Sequence, residues 1–337
     1  MSKIKVGING FGRIGRLFLR SIKDNPVFEV VAINSGSNPT SHAFLFDHDS
    51  SYGKYAGTVS AKEKSIIVDG KEIAVYKVRD PGDIPWGDTG VEIVIECSGL
   101  FTDRDTASKH LHGTVKKVII SAPGKGVDGT FVMGVNDHDY DPNKHNVLAN
   151  ASCTTNCLTP IVYLLHKAYG IKHAHMSTTH SYTSDQNLLD NSHPKDLRRA
   201  RAAADNIVPT TTGAAIATTE VIPALKGKIN GISLRVPTST VSILYLVAEL
   251  EKAVTKEEIN RLFEQASSGS MKGYMGYCSE PLVSTDFKGS NQSSIIDSLS
   301  TDVVDNTLVS IVAWYDNEWG YTQRLVDLTS LVASKLN

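Results

Sequence analysis

The run IKVGINGFGRIG, from Ile4 to Gly15, constrains the fold more than any other stretch of this 337-residue chain. A β-branched run leads into a G-x-G-x-x-G turn at Gly10, Gly12 and Gly15. The pattern RIGRLFLRSIKD then puts Ile14, Leu17, Phe18 and Ile22 on one helical face. Strand, glycine turn and helix in that order open a dinucleotide-binding βαβ unit. Gly10 permits the tight turn, Gly12 lets a pyrophosphate approach the backbone, and Gly15 lets helix and strand pack closely. The helix start offers unpaired N–H groups and partial positive charge to phosphate. Such a unit ends its second strand, about 20 residues past the glycines, with Asp or Glu to hold the ribose 2′-hydroxyl. Here FEVVAIN runs into Ser35, Gly36 and Ser37, and no acid stands there.

Over the first 150 residues the strand-like runs KIKVGIN, FEVVAIN, VEIVIECS and KKVIISA alternate with helical patterns, among them DRDTASKHLHG, closed by Gly113. That alternation predicts an α/β fold with a doubly wound parallel sheet. After HNVLANASCTTNC the pattern changes. A helix, TTNCLTPIVYLLHKAYG, ends at Gly170, and long alternating runs follow: KHAHMSTTHSYT, INGISLRVPTSTVSILYLVAEL and TLVSIVAWYDN. These predict an α+β region with a mostly antiparallel sheet. Thr255 and Glu258 have capping-box spacing at the head of a further helix, and WGYTQRLVDLTSLVASKL reads as a terminal helix. Between His180 and Pro209 lies a polar segment too long for an ordinary connection. Its Arg198, Arg199 and Arg201 suggest anion handling, a solvated basic turn being the plainer alternative.

A net charge of −2 supports neither nucleic-acid nor membrane binding, and no run of 18 apolar residues is present. Met1-Ser2-Lys3 leads straight into a strand-like run, which is not the pattern of a secretory signal. Cys97, Cys153, Cys157 and Cys278 are too few for a disulfide framework in a chain of this length, so a reducing cytoplasm is expected. No metal site is expected.

NASCTTNC places Cys153 at a strand-to-helix junction, with Ser152 as the cap and Thr154 and Thr155 in the first turn. A thiol there has its thiolate stabilised by the helix dipole, and the N–H groups can stabilise an oxyanion. Cys157, one turn on, is expected as a small buried residue, as are Cys97 and Cys278. A nucleophilic thiol needs a base. Among 11 histidines, His180 stands at a strand end just before the polar loop, the best placed of them. His173 and His175 share a strand face but lack further ligands at metal-site spacing.

INGFGRIGR, ASCTTNCLTP, HSYTSDQ, DLRRARAAADNIVPTTTGAA, LKGKINGISLRVPT and WYDNEWGY together resemble the phosphorylating glyceraldehyde-3-phosphate dehydrogenases, from Ile4 to the terminal helix. The resemblance implies an NAD(P)-binding Rossmann domain over 1–151, joined by a terminal helix over 317–337. A catalytic domain over 152–316 would include an S-loop over 181–209, and the assembly would be a homotetramer. It implies oxidation of D-glyceraldehyde 3-phosphate with inorganic phosphate to 1,3-bisphosphoglycerate. Cys153 would be the nucleophile of a thiohemiacetal and thioester, and His180 the base. Thr183, Asp185 and Arg235 match the substrate-phosphate site, with Asp185 expected to orient Arg235. Ser152, Thr212, Gly213 and Arg199 match the inorganic-phosphate site, and Thr154 is counted with these phosphate-binding residues. Gly10, Gly12, Arg13, Ile14, Ser35, Arg79 and Ser121 match cofactor contacts, and Asn317 matches the residue that holds the nicotinamide carboxamide.

NAD-specific relatives carry an acid at the position of Ser35. Without it the 2′-hydroxyl loses an acceptor and a 2′-phosphate loses a repulsion. Use of NADP alongside NAD is expected, and no Lys or Arg adjoins Ser35 in sequence to exclude NAD. In the S-loop, Asn191 and Ser192 replace the family's commoner apolar-Pro pair, near an SHPK stretch that lengthens the loop. The alternatives are an erythrose-4-phosphate dehydrogenase, a surface or RNA-binding role, and a redox sensor using Cys153 and Cys157.

Overall fold

The computed structural model describes residues 3–194 and 196–336; Met1 and Ser2, and Lys195 of the SHPK stretch, lie outside the described residues. The chain divides into two units. The first takes the chain up to Phe131, Asp137–Ala151 and the chain from Thr322. Among the described residues its sheet runs Gly129–Thr130, Val147–Ala149, Lys117–Ile120, Ile93–Glu96, Ile4–Asn9, Phe28–Asn34, Lys71–Tyr76, Ser65–Val68, Val59–Ala61. Pairing is parallel as far as Lys71–Tyr76 and antiparallel over the last two strands. Ile93–Glu96 and Lys117–Ile120 are buried at every residue, as strands covered on both faces must be.

The helix Arg13–Ser21 buries Leu17 and Phe18, and Ile22 just past its end, against this sheet; Phe18 stacks on Phe28 with centroids 5.9 Å apart. Ile14, expected on the same face, is only partly buried. The DRDTASKHLHG helix is shorter than expected. One α-turn, Arg104–Ala107, is capped by Asp103 and tightens into a 3₁₀ turn, Ser108–His110. His110 is drawn inward there by two buried partners described below. Most of the terminal helix Trp319–Ser334 belongs to this unit, where Gln323 Nε2 donates to Ser21 Oγ at 2.9 Å.

The second unit comprises Val132–Asn136 and Ser152–Tyr321. Its sheet runs Val208–Thr210, Ile229–Val236, Ile171–Ser181, Ser242–Leu250, Leu308–Tyr315, Ser294–Asp297, Met275–Cys278. Most pairs are antiparallel; Ile171–Ser181 with Ile229–Val236, and Met275–Cys278 with Ser294–Asp297, are parallel. Leu244, Leu246, Ala248 and Leu250 alternate inward, and the helix Cys153–Tyr169 packs on the sheet through its buried Leu158, Ile161, Val162 and Leu165. Each such aliphatic side chain contributes about 1.5–3 kcal/mol. This packing fixes the helix axis and so the position of Cys153 at its first residue. Thr255 and Glu258 form the expected capping box, with bonds of 2.8 and 3.2 Å. Among the described residues no helix is long and apolar enough to cross a membrane.

Candidate active site

In the first unit the carboxyl ends of the parallel strands surround a cavity of about 580 Å³. Gly10, Gly12, Ser35 and Arg79 line it, together with Gly36, Lys77, Cys97 and Ser98. Gly10 has φ +93°, and a Cβ there would meet Ser98 N at 2.4 Å, so both conformation and space demand glycine. Gly12 is the reverse case: a Cβ would meet nothing within 4 Å, which leaves an open cradle at the start of Arg13–Ser21, a helix with no side-chain cap. Uncapped amides beside an open cradle suit a pyrophosphate, so the residues present fit a dinucleotide. Arg13 and Ile14 do not line the cavity, and the Arg13 side chain pairs with Asp49 at 2.5 Å. Ser121 lies behind Cys97, to which it is hydrogen-bonded; burial pushes the Cys97 thiol up to about 12, and that bond offsets the push only in part.

Beneath the cavity is a buried polar network that the sequence reading missed. Glu96 accepts from Asn9 Nδ2 (2.5 Å), His110 Nε2 (3.1 Å), Ser98 N (2.7 Å) and Ser98 Oγ (2.5 Å). Trp86 Nε1 donates to His110 Nδ1 at 3.2 Å, which leaves His110 Nε2 to donate to Glu96. On the other arm Asn34 Nδ2 donates to Asn9 Oδ1 (2.7 Å) and Val78 O (2.9 Å), while Asn34 Oδ1 accepts from Val78 N (2.9 Å). Glu96 and His110 in strand–helix patterns were the only signal for it, and ordinary packing would have produced the same signal.

In the second unit Ser152 caps the helix as expected, its Oγ accepting from Thr155 N at 3.0 Å. Ala151, just before it, is held at φ +54° while fully buried, a conformation costing on the order of 1 kcal/mol that turns the chain sharply into Cys153. Cys153 Sγ lies 3.3 Å from His180 Nε2. His180 ends the strand Ile171–Ser181, and parallel register sets Arg235 directly beside it. His180 Nδ1 is 2.7 Å from Ser181 O and 2.6 Å from Arg235 Nη1, which also donates to Ser181 O at 3.2 Å. Nδ1 thus faces an acceptor in Ser181 O and a donor in Arg235 Nη1, and the tautomer that donates Nδ1–H to Ser181 O is the one that leaves Nε2 free to accept from the thiol. Burial, then the Arg235 charge, lowers the His180 pKa to about 3, against a weaker upward pull from the Ser181 carbonyl. Burial also raises the Cys153 thiol, with Arg235 and the Thr154 hydroxyl and N–H pulling it down. Burial therefore opposes charge on both partners of the pair, while Arg235 and the N–H groups at the helix start favour the thiolate.

Tyr315, also missed, underlies the pair. Its OH bridges Thr154 Oγ1 (3.0 Å) and Thr178 Oγ1 (2.8 Å), and its ring stands edge-on to His180 with centroids 6.0 Å apart. The Thr154 hydroxyl is thus engaged by Tyr315 at 3.0 Å and lies 4.0 Å from Cys153 Sγ, and the Thr154 N–H also favours the thiolate. Cys157 is fully buried as expected, while Cys97 and Cys278 are only partly so. Burial holds the Cys157 thiol well above its usual value, and that makes it a poor redox partner.

One expectation among the anion residues is overturned. Asp185 does not orient Arg235; it pairs with Arg199 Nη1 and approaches His193 at 3.6 Å. Arg235 instead sits inward on His180 and Ser181, leaving the more exposed Asp185 to the other guanidinium. Arg199 Nε also donates to Thr210 Oγ1 at 2.8 Å and lies 3.4 Å from Asp196. Thr183 N donates to Gln186 Oε1 at 3.3 Å, Thr212 Oγ1 accepts from Ala214 N at 3.2 Å, and Gly213 caps the helix Ala214–Val221. Asn317 is buried; its Oδ1 accepts from Ser242 Oγ at 2.9 Å, which in turn accepts from Ser181 N at 3.1 Å. A hydrogen-bonded line thus runs from Asn317 to the residue after His180. Val241, just before Ser242, is buried at φ +71°, and a β-branched residue gives no sequence signal for that conformation.

Two family models match the chain. Residues 4–104 match the NAD-binding domain of glyceraldehyde 3-phosphate dehydrogenase, and residues 152–317 match its C-terminal domain. The chain is 54% identical to the glyceraldehyde-3-phosphate dehydrogenase of Geobacillus stearothermophilus, covering 98% of this chain and 99% of that protein. It is 52% identical to glyceraldehyde-3-phosphate dehydrogenase 2 of Nostoc sp., covering 98% and 99%. It is also 52% identical to the chloroplastic glyceraldehyde-3-phosphate dehydrogenase GAPB of Arabidopsis thaliana, covering 99% of this chain and 76% of that one.

Proposed function

The chain belongs to the glyceraldehyde-3-phosphate dehydrogenase family, and on that premise we propose that it oxidises D-glyceraldehyde 3-phosphate with inorganic phosphate to 1,3-bisphosphoglycerate, using NADP as well as NAD. The observation that carries the chemistry is the 3.3 Å approach of Cys153 Sγ to Nε2 of a buried, neutral His180. His180 takes the thiol proton as Sγ attacks the aldehyde carbon, and returns it to the carbonyl oxygen to complete a thiohemiacetal. It then takes the hydroxyl proton as the carbon loses hydride, leaving a Cys153 thioester. The bound dinucleotide supplies the hydride acceptor. A phosphate oxygen attacks the thioester carbon, and the Cys153 thiolate leaves.

Arg235 has two parts in this proposal. It stabilises the leaving thiolate and holds the substrate phosphate with Thr183. A dianion on Arg235 offsets the charge that depresses His180, so substrate binding strengthens the base. Arg199, Ser152, Thr212 and Gly213 take the attacking phosphate, and Asp185 and Asp196 hold the Arg199 guanidinium in place. Gly10, Gly12 and Arg79 hold the dinucleotide, with Arg13, Ile14 and Ser121 supporting that wall and Asn317 receiving the carboxamide. The cavity lining carries no carboxylate beside Ser35, which supports use of NADP. A homotetramer and a cytoplasmic location belong to the same proposal. Exposed Leu188, Leu189, Leu197 and Ile207 on the 181–209 segment support the first, and four free thiols the second. Residues 1–151 with the terminal helix would serve as the cofactor domain and 152–316 as the catalytic domain.

Steady-state rates with glyceraldehyde 3-phosphate, with and without phosphate and with each dinucleotide, test the reading. Turnover without phosphate would favour an erythrose-4-phosphate type of enzyme. An efficiency with NADP more than about tenfold below that with NAD, roughly 1.4 kcal/mol, would end the claim of dual use. Cys153→Ala must abolish activity.

A further inference from the structure

Sequence adjacency offers Ser35 no cation, but strand pairing does. Asn34 and Tyr76 are register partners at the ends of two parallel strands, and Ser35 N donates to Tyr76 O at 3.0 Å. The next residue after the second strand is Lys77, which follows Tyr76 as Ser35 follows Asn34, and adjacent strands lie about 4.8 Å apart. Both side chains line the same cavity, with Gly36 beside them, where a Cβ would meet nothing within 4 Å. The backbone here is pinned: Asn34 holds both the N–H and the carbonyl of Val78, each at 2.9 Å. Neither Lys77 nor Arg79 makes a hydrogen bond or ion pair with another described residue. The nearest acid in sequence, Asp80, is taken up by Gly82 N at 3.0 Å and by Lys109 at 3.3 Å.

We propose that Lys77 is the specificity-determining cation of this chain, receiving the 2′-phosphate of NADP at a subsite formed with Ser35 and Gly36. The inference rests on the dual-cofactor reading and deepens it. A 2′-phosphate brings a charge near −2 and three acceptor oxygens. It meets a hydroxyl donor in Ser35, open space over Gly36, and an ammonium that is paired with no acid among the described residues. NAD offers only a neutral hydroxyl at this place, so Lys77 neither assists nor repels it, which accounts for tolerance of both cofactors. As a flexible point charge rather than a fork, Lys77 tolerates small differences in phosphate position.

Calorimetric titration of the full-length protein with NADP, NAD and 2′,5′-ADP tests this without recourse to catalysis. Lys77→Ala should weaken NADP and 2′,5′-ADP about tenfold while NAD shifts less than twofold. Lys77→Arg should restore both phosphorylated ligands, and added salt should weaken NADP in the parent but much less in the alanine variant. Equal losses for NAD and NADP, or no loss for either, would overturn the assignment. If the parent itself binds NADP more than tenfold below NAD, the dual-cofactor reading fails first. If the parent binds both and Lys77→Ala changes nothing, that reading stands and the role of Lys77 falls.

Discussion

A buried histidine held neutral leaves a mark on stability as well as on chemistry. His180 has a folded-state pKa of about 3, while an unfolded chain offers about 6.5. Below pH 6.5 the unfolded chain binds a proton that the folded chain refuses, so acid favours unfolding. Stability is therefore complete above about pH 6.5, falls as pH falls through it, and goes on falling until about pH 3. Between pH 6.5 and 5 the loss from this group is about 1.5 pH units at about 1.4 kcal/mol each, or about 2 kcal/mol. His180→Gln keeps a polar side chain of similar size and removes the titration. Urea unfolding of both proteins at pH 7, 6 and 5, at one protein concentration, isolates the difference. The other titrating groups, including His42 with its burial-depressed pKa, are common to both. The variant should lose about 2 kcal/mol less than the parent across this range. If both lose the same, His180 is not held neutral by the fold, and the proton route assigned to it is wrong.

Gly10→Ala and Gly12→Ala should separate cleanly. The first destabilises the fold by several kcal/mol, through φ +93° and a 2.4 Å contact with Ser98 N; the second leaves the melting temperature within a degree or two but weakens dinucleotide binding at least tenfold. Tyr315→Phe strips the bridge between Thr154 and Thr178, and differential scanning calorimetry should show a loss of about 1–2 kcal/mol, a fall of a few degrees. Ser35→Asp should shift the ratio of efficiencies toward NAD by tenfold or more, and an unchanged ratio would remove Ser35 from the specificity argument.

What could be read from the sequence was local, and what could not was set by register and packing. The glycine turn, the Ser152 cap and the Thr255 box are short-range devices whose residues specify their own geometry, and each appears where expected. The strand end at His180 was also visible. That Arg235 stands beside it depends on pairing between strands more than fifty residues apart, which periodicity does not reveal. The same limit hid Lys77 from Ser35. Asp185 was assigned the wrong arginine because two guanidiniums share one neighbourhood and only burial decides which faces inward. Val241 and Ala151 were invisible because positive φ at such residues is imposed by their surroundings.

In the polar network under the dinucleotide cavity, donation from Trp86 through His110 and from Asn34 through Asn9 converges on Glu96. Trp86 can only give a hydrogen, Glu96 only receives, and every amide and ring between them is thereby fixed in orientation. Turning the Asn34 amide over would break its bonds to Asn9 and to both backbone groups of Val78 at once. The backbone of the edge that carries Ser35 and Lys77 is thus pinned before any ligand arrives. The entropy of ordering it is lost when the chain folds rather than when the ligand docks, so cofactor affinity is not reduced by that cost. Discrimination between the two dinucleotides at this edge then rests on a fixed backbone and open space, with only the Lys77 side chain left to settle on the ligand.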